Sequence, residues 1–107
     1  MIVALKDYSE AVLRLYTRLP DTPVKARPFD RRMTEQLHSR GIPLRTVEAA
    51  LLLASARRIC RDPSKQPLPQ VRSLAYFLPI IEELVQNPAP PGYLTYVRSK
   101  VTLKPTS

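Results

Sequence analysis

Pro43-Leu44-Arg45-Thr46-Val47-Glu48-Ala49-Ala50-Leu51-Leu52-Leu53-Ala54-Ser55-Ala56-Arg57-Arg58-Ile59-Cys60-Arg61 reads as one helix from residue 43 or 44 to 61, the longest and most apolar in the chain. Val47, Ala50, Leu51 and Ala54 line one side of it, Ala49, Leu53, Ala56 and Cys60 a second, and Leu52 and Ile59 a third. A helix apolar over most of its circumference belongs at the centre of a fold rather than on its surface. Its alanines let neighbours approach closely, and Arg57, Arg58 and Arg61 complement the dipole in its last turns. The fold expected around it is all-α, a small orthogonal bundle of four to five helices with residues 44–61 as the central one.

The flanking segments supply the partners. Residues 7–19 read as a helix with Asp7 as cap and Glu10 three residues on. Tyr8, Val12, Leu15 and Leu19 recur at helical spacing, and Pro20 ends the run. A second helix runs from Pro28 to Arg40. Its stripe is Phe29, Met33 and Leu37, and Gly41 follows at the usual left-handed position. Three prolines make residues 62–69 a loop. The fourth helix spans residues 70 or 73 to 86, with Leu74, Phe77, Leu78, Ile81, Leu84 and Val85 as its apolar face. Pro79 inside it either kinks one helix or divides two, and a bend is expected. Beyond the stiff segment at residues 88–92, residues 93–101 form a short fifth helix with Tyr93, Val97 and Val101 on one face. Residues 2–5 are a short strand or an extended strap, and residues 104–107 are expected to fray. Tyr8, Phe29 and Tyr76 are assigned to the core, His38 to the surface, and Cys60 to a buried, inert position. The whole is read as one domain over residues 1–103.

Charge is the second strong signal. The 107 residues carry 17 Lys and Arg against 9 Asp and Glu, a net charge of +8. The excess is concentrated: residues 1–24 are neutral, residues 25–61 carry +6, and residues 62–107 carry +2. Eight of the nine cations in the middle stretch are arginines, whose planar fork grips phosphate with two parallel bonds. Arg27, Arg31, Arg32, Arg40 and Arg45 surround the second helix and the Gly41 turn and are the candidate phosphate contacts. Arg98 and Lys100 add to them, with Tyr96 as an exposed ring on which a base can stack. Tyr93 is assigned instead to packing the last helix on the core. The other outlets for such charge are an acidic protein surface or solvent.

Several chemistries are excluded by counting. Two glycines do not make a phosphate-cradling loop or a dinucleotide fingerprint. One histidine and one cysteine do not make an ordinary zinc site. Glu82 and Glu83 are adjacent and point apart on a helix, so they form no acid–base pair. No nucleophile, base and orienting group can be assembled, so neither enzyme activity nor a cofactor is expected. The longest apolar run, residues 49–54, falls far short of the roughly 18–20 residues that cross a bilayer. The N-terminal residues lack a signal-peptide core. A protein of the cytoplasm is expected, with no membrane partner.

Tyr76-Phe77-Leu78-Pro79-Ile80-Ile81-Glu82-Glu83-Leu84 resembles the Tyr-Ile-x-x-Ile-Leu-x-x-Trp pattern of bacterial replication-initiation proteins of the DnaD/DnaB-like, helicase-loader class. Five positions are similar by type, and Leu84 stands in place of the tryptophan, with Pro79 inside the motif. The upstream order is similar too: a short polar helix, a turn at Gly41, then a long alanine-rich helix. The likeness covers about residues 28–86. It implies a helical domain that associates with DNA and replication partners, with contact at Tyr76 and the basic segment containing Arg98 and Lys100. Together these observations point to a non-catalytic accessory module of replication or mobile elements, binding DNA in preference to RNA. The alternative is an adaptor that docks on a protein partner, or on a second copy of itself, through apolar surface that so few helices leave uncovered. Helices two and three have the connectivity of a helix-turn-helix, but the third is too apolar to lie in a major groove.

Overall fold

The computed structural model describes residues 3–61, 64–66, 68–90 and 92–104. Five α-helices and one 3₁₀ turn make up the regular structure of these residues, with no strand among them. The helices are α1 (Leu5–Arg18), α2 (Pro28–Ser39), α3 (Leu44–Ile59), α4 (Leu78–Gln86) and α5 (Tyr93–Ser99). The 3₁₀ turn is Leu74–Phe77. The all-α expectation holds, and α3 is the hub. It packs against α1, α4, α5 and the 3₁₀ turn. Val47, Ala50, Leu51 and Leu52 are completely buried in it. Burying a leucine or valine contributes about 1.5–3 kcal/mol, which explains why the most apolar segment takes the centre.

α1 is capped three residues earlier than its capping signal suggests. Its N-cap is Ala4, without a side-chain cap, and Asp7 lies in the first turn, where its charge suits the helix dipole. The buried face is Tyr8, Ser9, Val12, Leu13 and Tyr16, while Leu15 is half-buried. The face is wider than the expected stripe because α1 packs on both α2 and α3. Pro20 ends the helix as expected. The Thr22 hydroxyl is shared between the carbonyls of Tyr16 (2.6 Å) and Leu19 (2.7 Å), serving groups the helix end leaves unbonded.

α2 lies antiparallel to α1. Tyr8 meets His38 edge-to-face at 5.1 Å between ring centroids, and the hydroxyls of Ser9 and Thr34 are 2.7 Å apart. The expected Phe29–Met33–Leu37 stripe is corrected. The buried face is Asp30, Met33, Thr34 and Leu37, and Phe29 is 47% exposed. The cause is Asp30. Its carboxylate accepts the backbone N–H of Arg27 and, from across the fold, that of Leu74, each at 2.9 Å. That pair of bonds turns Asp30 inward and leaves its neighbour Phe29 at the rim. At the far end, Gly41 takes a left-handed conformation at φ 75°. Its N–H donates to the His38 carbonyl and that of Ile42 to the Leu37 carbonyl, the paired bonds of a Schellman C-cap.

The fourth segment resolves into two pieces. The 3₁₀ turn, capped by Ser73 Oγ accepting the Ala75 N–H, ends where α4 starts, and Pro79 falls in the first turn of α4. A proline there removes no helical hydrogen bond, so division wins over a kinked continuous helix. Leu74, Phe77, Ile81 and Leu84 are buried, Leu78 is half-buried and Val85 exposed.

Other expectations are corrected. α3 ends before Cys60, which is exposed rather than buried, as is Ile59. Tyr76 is 40% exposed rather than core, its ring edge-on to Phe77 at 5.1 Å. His38 is half-buried, with Nε2 2.7 Å from the Val3 carbonyl, so residues 3 and 4 form a strap rather than a strand. Ile2 lies outside the described residues. Lys104 does not fray. Its N–H donates to the Arg18 carbonyl (2.7 Å), its carbonyl accepts Arg18 Nε–H (3.0 Å), and its ammonium donates to the Thr22 carbonyl (2.7 Å). Residues 105–107 of the expected frayed tail lie outside the described residues.

Candidate nucleic-acid interface

The structure divides the cations of the middle third into those already bonded and those facing solvent. Four are bonded. Arg40, at the end of α2, pairs with Glu82 at 2.6 Å. The hydrogen bond and the attached charge hold the Glu82 carboxyl below the usual carboxylate range and raise the arginine in turn. Arg57 grips Glu83 with both terminal nitrogens, at 3.3 and 2.9 Å. Arg58 donates to the Pro69 carbonyl (2.9 Å) and the Tyr76 hydroxyl (3.2 Å), lies 5.4 Å from the centroid of the Tyr76 ring, and reaches Asp21 at 3.5 Å. Arg61 donates to the Gln66 carbonyl. These arginines hold the chain around residues 64–76 onto the end of α3 and brace α4. They serve the architecture.

Lys25, Arg27, Arg31, Arg32 and Arg45 are exposed, and none makes an ion pair among the described residues. Arg27, Arg31 and Arg32 belong to the N-cap and first turns of α2, just after Lys25. Within this segment the carboxylate of Asp30 is buried and occupied by backbone N–H groups, so it does not neutralise them at the surface. Glu35, one turn further along, is exposed. The Arg27 charge also reaches the buried Tyr16 phenol. Burial and the Asp30 charge push that phenol up to about 12, and Arg27 opposes them.

The five arginines do not all share one place. Arg27 and Arg40 cap opposite ends of α2, about 20 Å apart along the axis at 1.5 Å per residue. Arg45 sits in the first turn of α3, beyond the Gly41 turn. It lines one hollow with Gly92 and Leu94 at the start of α5 and another with Tyr8 and His38. α5 packs on α3, and Glu48, one turn along α3, is raised by burial while the charge of Arg98 on α5 pulls it down. On α5 the Tyr96 ring is 61% exposed and the Lys100 ammonium lies 5.4 Å from its centroid. Tyr93 is half-buried against α3 and tilted toward Tyr96 at 6.2 Å, in the packing role expected of it. Two basic, aromatic-bearing regions result: Lys25, Arg27, Arg31 and Arg32 with Phe29, and Arg45, Arg98 and Lys100 with Tyr96. Tyr76, implicated by the resemblance, has its hydroxyl and ring engaged by Arg58.

The sequence reading missed Lys25 and Phe29 as surface companions. The available signal was Asp30 at the third helical position, an acceptor for N-terminal N–H groups, which rotates the buried face away from Phe29. It also left unassigned the use of the Ala49–Leu53 side of α3. That side floors an apolar cleft of about 210 Å³, closed by Leu84, Pro88, Tyr93 and Leu94. An adjoining hollow, which shares Ala49, Leu84, Pro88 and Leu94 with it, extends to Arg45 and Thr46.

Comparison with family models, curated proteins and solved structures finds no match for this chain. Among the described residues no three His, Cys, Asp or Glu side chains gather as a metal-binding group. None of the described helices is long and apolar enough to cross a membrane.

Proposed function

We propose that this protein is a non-catalytic, DNA-associated accessory module of the cytoplasm, of the kind that serves replication or mobile elements, and that it holds the phosphate backbone through arginines at the start of α2. One observation carries the reading: Arg27 at the N-cap and Arg31 and Arg32 one turn on are exposed, and their guanidinium groups form no ion pair among the described residues. Guanidinium groups kept clear of internal acids are available to a polyanion, and each phosphate they neutralise releases counterions. The N-terminal end of the helix adds its own positive dipole. Arg45, Arg98 and Lys100, with Tyr96, form a second contact region, and Arg40 is withdrawn from the interface because Glu82 neutralises it. The resemblance to helicase-loader proteins supports the biological setting.

The test is a fluorescence anisotropy titration against single- and double-stranded DNA across salt concentrations. Binding should fall steeply with salt. Replacing Arg31 and Arg32 together by alanine should lower affinity and flatten the log–log salt slope by about 1.4 to 1.8, the loss of two phosphate contacts. Flat titrations at low salt, or an unchanged slope, would remove the reading.

The cleft on the Ala49–Leu53 side of α3 favours a second reading, an adaptor that seats an apolar segment of a protein partner or of a second copy. On that reading association responds little to salt and is abolished by Leu53→Glu. Sedimentation of the wild type and this variant separates the two.

A further inference from the structure

The DNA-binding reading leaves open which form of the polymer the α2 surface takes, and three observations bear on it. The first is the burial of α3. In a helix-turn-helix the second helix must lie exposed to enter a major groove. Here α3 is flanked by α1, α4, α5 and the 3₁₀ turn, with Val47, Ala50, Leu51, Leu52, Ala54 and Ser55 buried among them. The usual route to reading a duplex is closed.

The second is Phe29. It is 47% exposed at the first turn of a helix whose other large apolar side chains, Met33 and Leu37, are buried. About half of this ring's surface stays open to a partner. Val24, five residues earlier in the preceding loop, is 77% exposed as well. The third is the setting of that ring. Arg32 follows Phe29 by three residues and therefore shares its flank of α2. Lys25 and Arg27 precede it, and the carboxylate next to it, Asp30, is turned inward. An exposed ring with Arg32 one turn along its own helix flank, and with Lys25 and Arg27 in the segment that leads into it, suits a strand whose bases are unstacked. The ring takes a base face while the neighbouring charges take phosphates. In a duplex the base faces are covered by their neighbours, and this ring gains nothing.

We propose that the start of α2 is a single-stranded nucleic-acid site in which Phe29 stacks on a base and Arg32, Arg27 and Lys25 hold the flanking phosphates. This rests on the polyanion-binding reading above and specifies its substrate. The test uses the full chain, with a labelled oligo-dT of about 20 nucleotides, longer than the roughly 4–16 that comparable modules cover, and a duplex of the same length. Phe29→Ala should weaken oligo-dT binding by about tenfold or more, in line with the stacking contribution of one base. It should change duplex binding by less than about threefold and leave the salt slope intact, since no phosphate contact is lost.

The chain contains no tryptophan, so Phe29→Trp installs a single reporter. It should retain oligo-dT binding and have its fluorescence quenched by the strand. Equal losses on single strand, duplex and heparin with Phe29→Ala would overturn stacking. So would an absent quench in Phe29→Trp that still binds. No loss with Phe29→Ala, while the Arg31 and Arg32 double replacement still flattens the salt slope, would overturn the stacking proposal and spare the polyanion reading. Failure of both polymers to bind at low salt would overturn both.

Discussion

Asp30 is the residue on which the candidate interface depends, although it contacts nothing outside the protein. It is 1% exposed, and it joins two elements by accepting N–H groups at the start of α2 and at the 3₁₀ turn. A buried carboxylate is tolerated because these two donors satisfy it. Removing it leaves both N–H groups without an acceptor, one of them buried. Asp30→Ala should therefore cost about 3 kcal/mol in urea denaturation, with the dependence on denaturant unchanged. An effect below about 1 kcal/mol would mean that water replaces the carboxylate and that α2 is not anchored in this way. The Tyr16 hydroxyl is a contrasting case: it is buried without a hydrogen-bond partner among the described residues, so the contribution of this residue comes from its ring, packed edge-to-face on Phe77 at 6.0 Å.

At the scale of elements, the α2–α3 junction sets how the basic start of α2 stands relative to the central helix. Gly41 makes the turn possible by taking φ 75°, a conformation that L side chains adopt at a cost. Among the described residues, its chain neighbours aside, nothing lies within 4 Å of where a Cβ would sit, so the cost of substitution is conformational and not steric. Gly41→Ala should destabilise the fold by about 1 kcal/mol, seen as a lowered thermal midpoint with the helical circular-dichroism signal retained. A loss of several kcal/mol would show that the turn has hidden steric constraints. Pro79 illustrates the same logic in reverse. In a helix interior it would cost about 3 kcal/mol, but the structure puts it in the first turn of α4, where its lack of an N–H is harmless.

At the scale of the whole molecule, charge is sorted by what carboxylates and carbonyls the fold brings near. Arg40, Arg57, Arg58 and Arg61 are drawn into bonds that tie loops and α4 to α3. Arg27, Arg31, Arg32 and Arg45 have no such partners among the described residues. Nucleic-acid binding should therefore distinguish two arginines that sequence treats alike. Arg40→Ala should change the salt slope of DNA binding by less than about 0.3, well under the 0.7–0.9 of a full phosphate contact, while either Arg31→Ala or Arg32→Ala lowers it by about that contact. A slope change as large for Arg40 as for Arg31 would show that the Glu82 pair opens on binding. Exposed ion pairs of this type contribute little to stability, so Arg40→Ala should fold normally.

The helical class, the centrality of residues 44–61, the Gly41 turn and the concentration of positive charge in the middle third were all legible in the sequence. Each depends on local periodicity, on backbone preferences of single residues, or on simple counting. Periodicity located the faces of α3 but assigned Cys60 inward, because a helix end is set by tertiary contacts that periodicity does not register. It placed Phe29 in the core because apolar residues four apart usually face inward; Asp30 at the third helical position was a local hint against this, and its long-range bond to Leu74, which exists only in the folded chain, fixes that residue inward. Counting found the arginines but could not separate free from bonded ones, since Glu82 is 42 positions from Arg40 and meets it only after folding. Local sequence determined which helices form and where the charge is carried. Tertiary structure decided which charges and which ring remain for a partner, because pairing between distant side chains exists only once the chain has packed.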